Sequence, residues 1–232
     1  IVIFGGAGFI GSHVAEVLHR LGHDVTIADL KRSSFISKKI KFKKLDIQKE
    51  RKILSTVKQK DVVYNFAAIA DIQDSYDNPK KTFEINIMGT ANILKSCVLG
   101  NVKKYILASS IYADSSQGGF YRVSKQASEL MTAEYGKVFK LDYTILRYGS
   151  IYGPRSNLNN GLFKIVYDAV KKKKIVYRGT QKAVRSYIHV LDAAKASADI
   201  LNSQFNKKVV LIKGKKTIKI KNLLLELKKI TK

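Results

Sequence analysis

Short apolar runs alternate along the chain with longer stretches whose apolar residues recur every three to four positions. The runs lie at 1–4, 25–28, 40–45, 62–66, 105–108 and 143–146. Their Val/Ile content suits strands covered on both faces. Between them, the segments near 9–21, 49–59, 80–99 and 121–138 carry the helical period. Strands and helices in strict alternation, joined by short connections, predict right-handed β-α-β units on a parallel sheet. The pattern changes after Arg147. Gly149, Gly153, Pro154, Asn157, Asn159, Asn160 and Gly161 make a loop-rich stretch, followed by shorter elements and a last helix over 220–230. We therefore expect a first region, 1–150, holding the sheet. A second, 151–232, would carry substrate contacts and return some elements to the sheet.

Composition changes this picture little. The 232 residues are 45% hydrophobic and 26% charged, as expected of a globular chain with one sizeable core. No apolar run reaches the length of a membrane span. The chain starts at Ile1, without a methionine and already inside a strand, which reads as part of a longer protein. Its one cysteine, Cys97, sits at core spacing in a helical stretch, so it reads as an inert buried thiol in a reducing cytoplasm. The net charge of +25 raises the question of a nucleic-acid partner. The excess is mostly lysine spread along the chain, without interleaved aromatics for base stacking. The dense run Lys171, Lys172, Lys173 and Lys174 falls where a helix ends. We read compositional bias, with some attraction for a doubly charged substrate, and no nucleic-acid or membrane partner.

Candidate chemistry begins at the first turn. Gly5, Gly8 and Gly11 follow the first strand and open a helix in a G-x-x-G-x-x-G spacing, with Phe9 and Ile10 at the helix start. Such a turn lets free backbone N–H groups approach a pyrophosphate closely. Asp29 ends the second strand at the spacing expected of an acid that binds adenosine ribose hydroxyls. A carboxylate there repels a 2′-phosphate and so favours NAD over NADP, although Lys31 and Arg32 follow at once. Asp46 and Ile47 end the third strand, where an acid can meet the adenine amino group. These features together describe a Rossmann-type, doubly wound α/β fold.

The second constellation is Tyr121-Arg122-Val123-Ser124-Lys125. Residues four apart share a helix face, so Tyr121 and Lys125 point into one cleft. A nearby ammonium lowers the pKa of a phenol that is otherwise near 10, making it a usable base. Ser109 and Ser110 follow the strand at 105–108, at the carboxyl edge where ligands of such folds bind. We expect His13, His19 and His23 to pack or face solvent, His189 to be structural, and no metal site.

Seven ordered segments now carry a resemblance: GGAGFIGSHV at the start with Asp29, NFAA (65–68), NIMGT (86–90), ASS (108–110), YRVSK, LRY with YGPR (152–155), and RSYIHV with Asp192. On these residues the chain resembles the extended short-chain dehydrogenase/reductase family, in its NAD-dependent sugar epimerase/dehydratase branch. The resemblance implies a catalytic triad of Ser110, Tyr121 and Lys125, with Ser109 the alternative serine. It implies Ala67, Ala68, Tyr121, Lys125 and Tyr148 beside NAD. It also implies Asn86, Ser109, Ser110, Ser150 and Arg185 beside a nucleotide-sugar substrate, Arg185 on its diphosphate. Ser150 stands where family members often have asparagine, and family members extend past the last helix here, implying an incomplete sugar pocket. A homodimer built on the helices near 80–99 and 121–138 and a place in polysaccharide precursor synthesis also follow from it.

The implied reaction is oxidation at the sugar C4 followed by return of hydride to the opposite face, a 4-epimerisation. In a 4,6-dehydratase of the same family, Asp and Glu directly follow the catalytic hydroxyl residue. Here Ile111 and Tyr112 do, with Asp114 the nearest acid. A reductase of the same family is a further alternative, and a non-catalytic dinucleotide-sensing or RNA-binding protein is the rival from another class.

Overall fold

The computed structural model describes residues 1–177 and 179–231. The chain opens with β1 (Val2–Phe4), α1 (Phe9–Arg20), β2 (Thr26–Asp29), β3 (Lys41–Lys44), α2 (Glu50–Val57) and β4 (Val62–Asn65). It continues through α3 (Ile72–Asp77), α4 (Pro79–Phe83), a π-turn (Glu84–Met88), α5 (Gly89–Leu99) and β5 (Lys104–Ser110). A 3-10 turn (Ile111–Asp114), α6 (Gly119–Val138), β6 (Asp142–Tyr148) and β7 (Ser150–Tyr152) follow. The remainder comprises α7 (Gly161–Lys172), β8 (Val184–Arg185), β9 (Tyr187–His189) and α8 (Val190–Asp199). A 3-10 turn (Ser203–Phe205), β10 (Lys208–Ile212), β11 (Ile218–Lys219) and α9 (Ile220–Ile230) complete it.

Seven strands form one parallel sheet in the order β10-β6-β5-β4-β1-β2-β3. This is the Rossmann-type order, and the direction of winding reverses between β1 and β4. Crevices beyond the carboxyl ends of strands at such a reversal are where ligands bind in open α/β sheets. The sheet separates two apolar layers. On one side α1 and α8 bury Val14, Leu18, Ala193 and Ala194 against Ile3, Ile27 and Tyr64. On the other, α2 and α5 bury Ile53, Val57, Ile93 and Leu94 against Val2, Val63 and Tyr105. Each such aliphatic side chain contributes about 1.5–3 kcal/mol on burial.

The sequence pattern and the structure part company in two places. The run at 40–45 is not a strand covered on both faces. Its core residues Ile40 and Leu45 flank an edge strand of sequence KFKK with lysines exposed at both ends, a charged edge that discourages further strand pairing. The single helix expected near 80–99 is three pieces, because the chain widens to a π-turn at Glu84–Met88 between α4 and α5. The second region returns elements to the first: β10 pairs with β6 through Lys208↔Thr144 to Ile212↔Tyr148, and α8 packs on α1. Cys97 is fully buried, and burial pushes its thiol far up, so it is inert as the sequence suggested. Among the described residues no helix is long and apolar enough to cross a membrane.

Candidate active site

The glycine-rich turn between β1 and α1 is shaped by what surrounds it. Gly5 lies at φ +70°, and a Cβ there would stand 2.4 Å from the Ala67 nitrogen. A Cβ on Gly11 would meet the Gly5 carbonyl oxygen at 2.5 Å. The close packing brings the N-terminus of α1 to the sheet edge. Its first intrahelical bond runs from Ser12 N–H to the Gly8 carbonyl, so the N–H groups of Phe9, Ile10 and Gly11 precede the ladder. Free donors and the positive end of the helix dipole face an anion there. The side chains of Phe9 and Ile10 turn inward and pack on the core, leaving only their backbone for a ligand.

A cleft of about 700 Å³ opens over this turn, lined by Gly5, Gly8, Asp29, Asp46, Ile47, Ala67 and Ala68, as the sequence reading placed them. Leu30, Gln48, Lys81 and Ile85 line it as well, without any signal in the sequence that singled them out. Asp29 accepts from Ala7 N–H at 2.9 Å and Leu30 N–H at 2.7 Å, tying β2 to the glycine turn. Arg32 is committed to its own loop. Its guanidinium donates to the Ser37 carbonyl at 3.0 Å and lies over the Phe42 ring, so it does not neutralise Asp29. The cradle, the free donors and the acid fit a dinucleotide with an unphosphorylated ribose. Asn65 was not foreseen: it donates to Tyr105 and Thr90 and accepts from Ala67 N–H, holding the turn that crosses above Gly5.

Ile69 lines the first cleft, and the next residue, Ala70, lines a second of about 910 Å³. Ser110, Tyr121, Tyr148, Ser150 and Arg185 line it, together with Tyr112, Asn160, Lys164 and Tyr187. Tyr121 comes from the first turn of α6 and Ser110 from the end of β5, and both line this cleft; the Ser110 hydroxyl accepts from Tyr112 N–H at 3.3 Å. Burial pushes the Tyr121 phenol up to about 12, and the nearby Ser110 hydroxyl offsets part of that. Lys125 lies beneath the tyrosine, its Nζ 5.7 Å from the ring centroid and donating to the Ala108 carbonyl at 2.8 Å. Burial lowers Lys125 to about 8, against a raising influence from Glu129. The expectation that Lys125 depresses the tyrosine pKa is therefore not met by the protein alone. Desolvation outweighs the neighbouring ammonium, which is directed at a backbone carbonyl.

Three expected contacts are not made. Ser109, one residue before Ser110, does not line the cleft; its hydroxyl donates to Glu129. Asn86, in the π-turn, is fully employed in holding structure. It accepts from Ile69 N–H and donates to the Ile69 carbonyl and to Ser124, which positions the divide between the clefts. Tyr148 borders the second cleft and not the first, with its hydroxyl 2.7 Å from that of Ser197. By contrast Arg185 faces no carboxylate among the described residues; it donates only to the Val184 carbonyl, at 3.3 Å. Asp114 is turned to Arg147 at 3.4 Å, outside the cleft lining. His13 is buried beside the YGPR segment, within 3.1 Å of the Pro154 carbonyl oxygen, and His189 accepts from Leu191 N–H to cap α8.

The chain is similar in sequence and shape to known proteins. The family model described as the NAD dependent epimerase/dehydratase family matches residues 1–212. A putative UDP-glucose 4-epimerase of Methanocaldococcus jannaschii is 30% identical over 238 residues, covering 94% of this chain and 78% of that protein. A UDP-glucuronate 4-epimerase of Thermodesulfobacterium geofontis is 28% identical, covering 96% of this chain and 78% of its own length. Among solved structures, the UDP-glucose 4-epimerase of Thermus thermophilus in complex with NAD superposes with a TM-score of 0.87 at 27% identity. That match covers 99% of this chain and 82% of the other. The Thermotoga maritima UDP-glucose 4-epimerase with UDP-glucose gives 0.89 at 25%, with the same coverage. The chain belongs to the NAD-dependent epimerase/dehydratase family, is an enzyme, and takes NAD as its cofactor.

Proposed function

We propose that the chain is a nucleotide-sugar 4-epimerase in which Ser110, Tyr121 and Lys125 handle the proton at the sugar C4 hydroxyl. The observation that carries the reading is the Ser110–Tyr121 pair facing the second cleft where it meets the glycine cradle. Gly5, Gly8, Gly11 and the N–H groups of the first turn of α1 hold the dinucleotide pyrophosphate, Asp29 its ribose and Asp46 its adenine. Held there, NAD would supply reversible hydride acceptance at the sugar carbon. As the phenolate, a form that burial disfavours in the protein alone, Tyr121 Oη would take the hydroxyl proton and give it back, while Ser110 Oγ orients the sugar. Lys125 holds Tyr121 from below through its anchor on Ala108. Arg185, in β8 two residues before the Tyr187 that pairs with Ser150, faces no carboxylate among the described residues and offers its guanidinium for the diphosphate. The curated and solved 4-epimerases that resemble the chain support this choice of reaction.

The residues after Ser110 support epimerisation over 4,6-dehydration. Ile111 and Tyr112 cannot deliver the acid–base pair that expels a hydroxyl, and Asp114 is held by Arg147. Residues 1–150 thus supply cofactor and triad, and 151–232 the nucleotide contacts along with β10 and α8. We also infer a homodimer, because Met88, Leu99, Val123 and Leu130 leave apolar surface on α5, α6 and the π-turn between helices. A cytoplasmic setting accords with the single buried thiol. Tyr121→Phe tests the mechanism: C4 inversion of UDP-sugars should drop by at least about a hundredfold while NADH affinity holds. Undiminished turnover would remove Tyr121 from the chemistry.

A further inference from the structure

On α6, Tyr121, Lys125 and Glu129 follow one another at four-residue intervals and so form one stripe. The first two carry the proposed chemistry. Glu129 is only 8% exposed, and a carboxylate so deep persists when its oxygens are fully employed. Arg147 from β6 donates to it through Nε at 3.0 Å and Nη2 at 2.8 Å. The Ser109 hydroxyl from β5 donates to Oε1. Arg147 also reaches Asp114 in the turn that follows Ser110. One carboxylate therefore joins α6 to β5, to β6 and, through the arginine, to the turn beside the cleft.

The anchor of Lys125 crosses the same seam. Lys125 Nζ bonds the Ala108 carbonyl and Ser109 bonds Glu129, so two successive residues of β5 grip two successive turns of α6, and the next residue, Ser110, lines the cleft with Tyr121. We propose that Glu129 is a positioning residue that fixes the register of α6 on β5 and, as the anion one turn from Lys125, keeps that lysine charged beneath Tyr121. This rests on the functional reading above for its link to turnover, but not for its effect on Lys125 itself. The titratable groups facing Lys125 are Tyr121 and Glu129 on its own helix. Arg147 and Asp114, from β6 and the 3-10 turn, stand behind Glu129, and Tyr112 stands beside Tyr121. Burial alone drives Lys125 down and Glu129 opposes it, so loss of that charge leaves burial unopposed.

The test is the titration of Lys125 followed by its side-chain 13Cε signal in NMR, assigned with Lys125→Arg, in the wild type and in Glu129→Gln. Glutamine keeps an oxygen for Ser109 and removes the charge. The expected result is a midpoint near 8 in the wild type and about one pH unit lower in the variant. The alkaline limb of kcat should move down in parallel, with kcat near pH 8 reduced about tenfold and KM within about threefold. An unchanged midpoint and an unchanged pH profile would overturn the proposal. Should Glu129→Gln fail to fold, Ser109→Ala removes one bond across the seam without stranding Arg147. It should lower kcat several-fold with NADH affinity held, and wild-type kcat in that variant would equally overturn the register role. A wild-type chain that turned over no nucleotide sugar would defeat the functional reading, while the NMR titration would still decide on Glu129.

Discussion

Replacing Gly5 by alanine tests the phosphate cradle against a built-in control. Gly5 and Gly22 both lie at positive φ, +70° and +89°, so either alanine pays the left-handed backbone cost of roughly 1–2 kcal/mol. They differ in what a Cβ would meet. At Gly22 nothing lies within 4 Å; at Gly5 the Ala67 nitrogen is at 2.4 Å and the Phe66 carbonyl carbon at 2.5 Å. Those are backbone atoms of the turn leaving β4, so relief requires the two turns to separate by about 1 Å to reach ordinary contact. Overpacking of that kind costs about 1–3 kcal/mol, and the rigid neighbours here put it at the upper end. Gly5→Ala should therefore lose roughly 3–5 kcal/mol of unfolding free energy in urea, and Gly22→Ala about 1–2. Against a typical total of about 5–15 kcal/mol the first is severe. Because the separation moves the N–H groups of α1 off the pyrophosphate, NADH affinity, read by fluorescence, should fall more than about tenfold in Gly5→Ala alone. Equal stability and equal NADH affinity in the two variants would refute the close-approach argument.

Two further outcomes follow from the second cleft and the outer helices. Arg185→Ala should raise KM for a nucleotide diphosphate sugar about 10–100-fold with kcat nearly unchanged, and Arg185→Lys should recover part of it; an unaltered KM would place the diphosphate elsewhere. Leu130 is 73% exposed on α6, so Leu130→Glu should shift sedimentation at micromolar concentration from dimer to monomer, whereas a monomeric wild type would dispose of the dimer.

The sheet and the cradle were legible because their signals are local. A strand followed at once by glycines and then by a helical period leaves few alternatives, and Asp29 at the end of β2 completes the pattern. The shared cleft of Tyr121 and Lys125 was legible for a related reason, since a four-residue interval on a helix fixes a shared face, whereas Ser110 came only from the family resemblance. What escaped depends on partners distant in sequence. Nothing adjacent to Asn86 reveals that it would be consumed by Ile69 and Ser124. The choice between Ser109 and Ser110 turns on partners elsewhere in the chain, since Glu129 engages the Ser109 hydroxyl while Ser110 lines the cleft. The position of Glu129 on the stripe was visible in its spacing from Lys125, but its role required Arg147 on a neighbouring strand. The π-turn and the lysine edge of β3 likewise reflect tertiary demands that override local pattern.

The central claim is that the chain inverts C4 of a nucleotide sugar. Incubating it with NAD and a panel of UDP-, GDP- and dTDP-sugars, and resolving the products by mass spectrometry and NMR, tests this most directly. The account predicts a product of unchanged mass with the C4 configuration inverted. A product lighter by one water, or NAD bound with no turnover of any sugar in the panel, would contradict it.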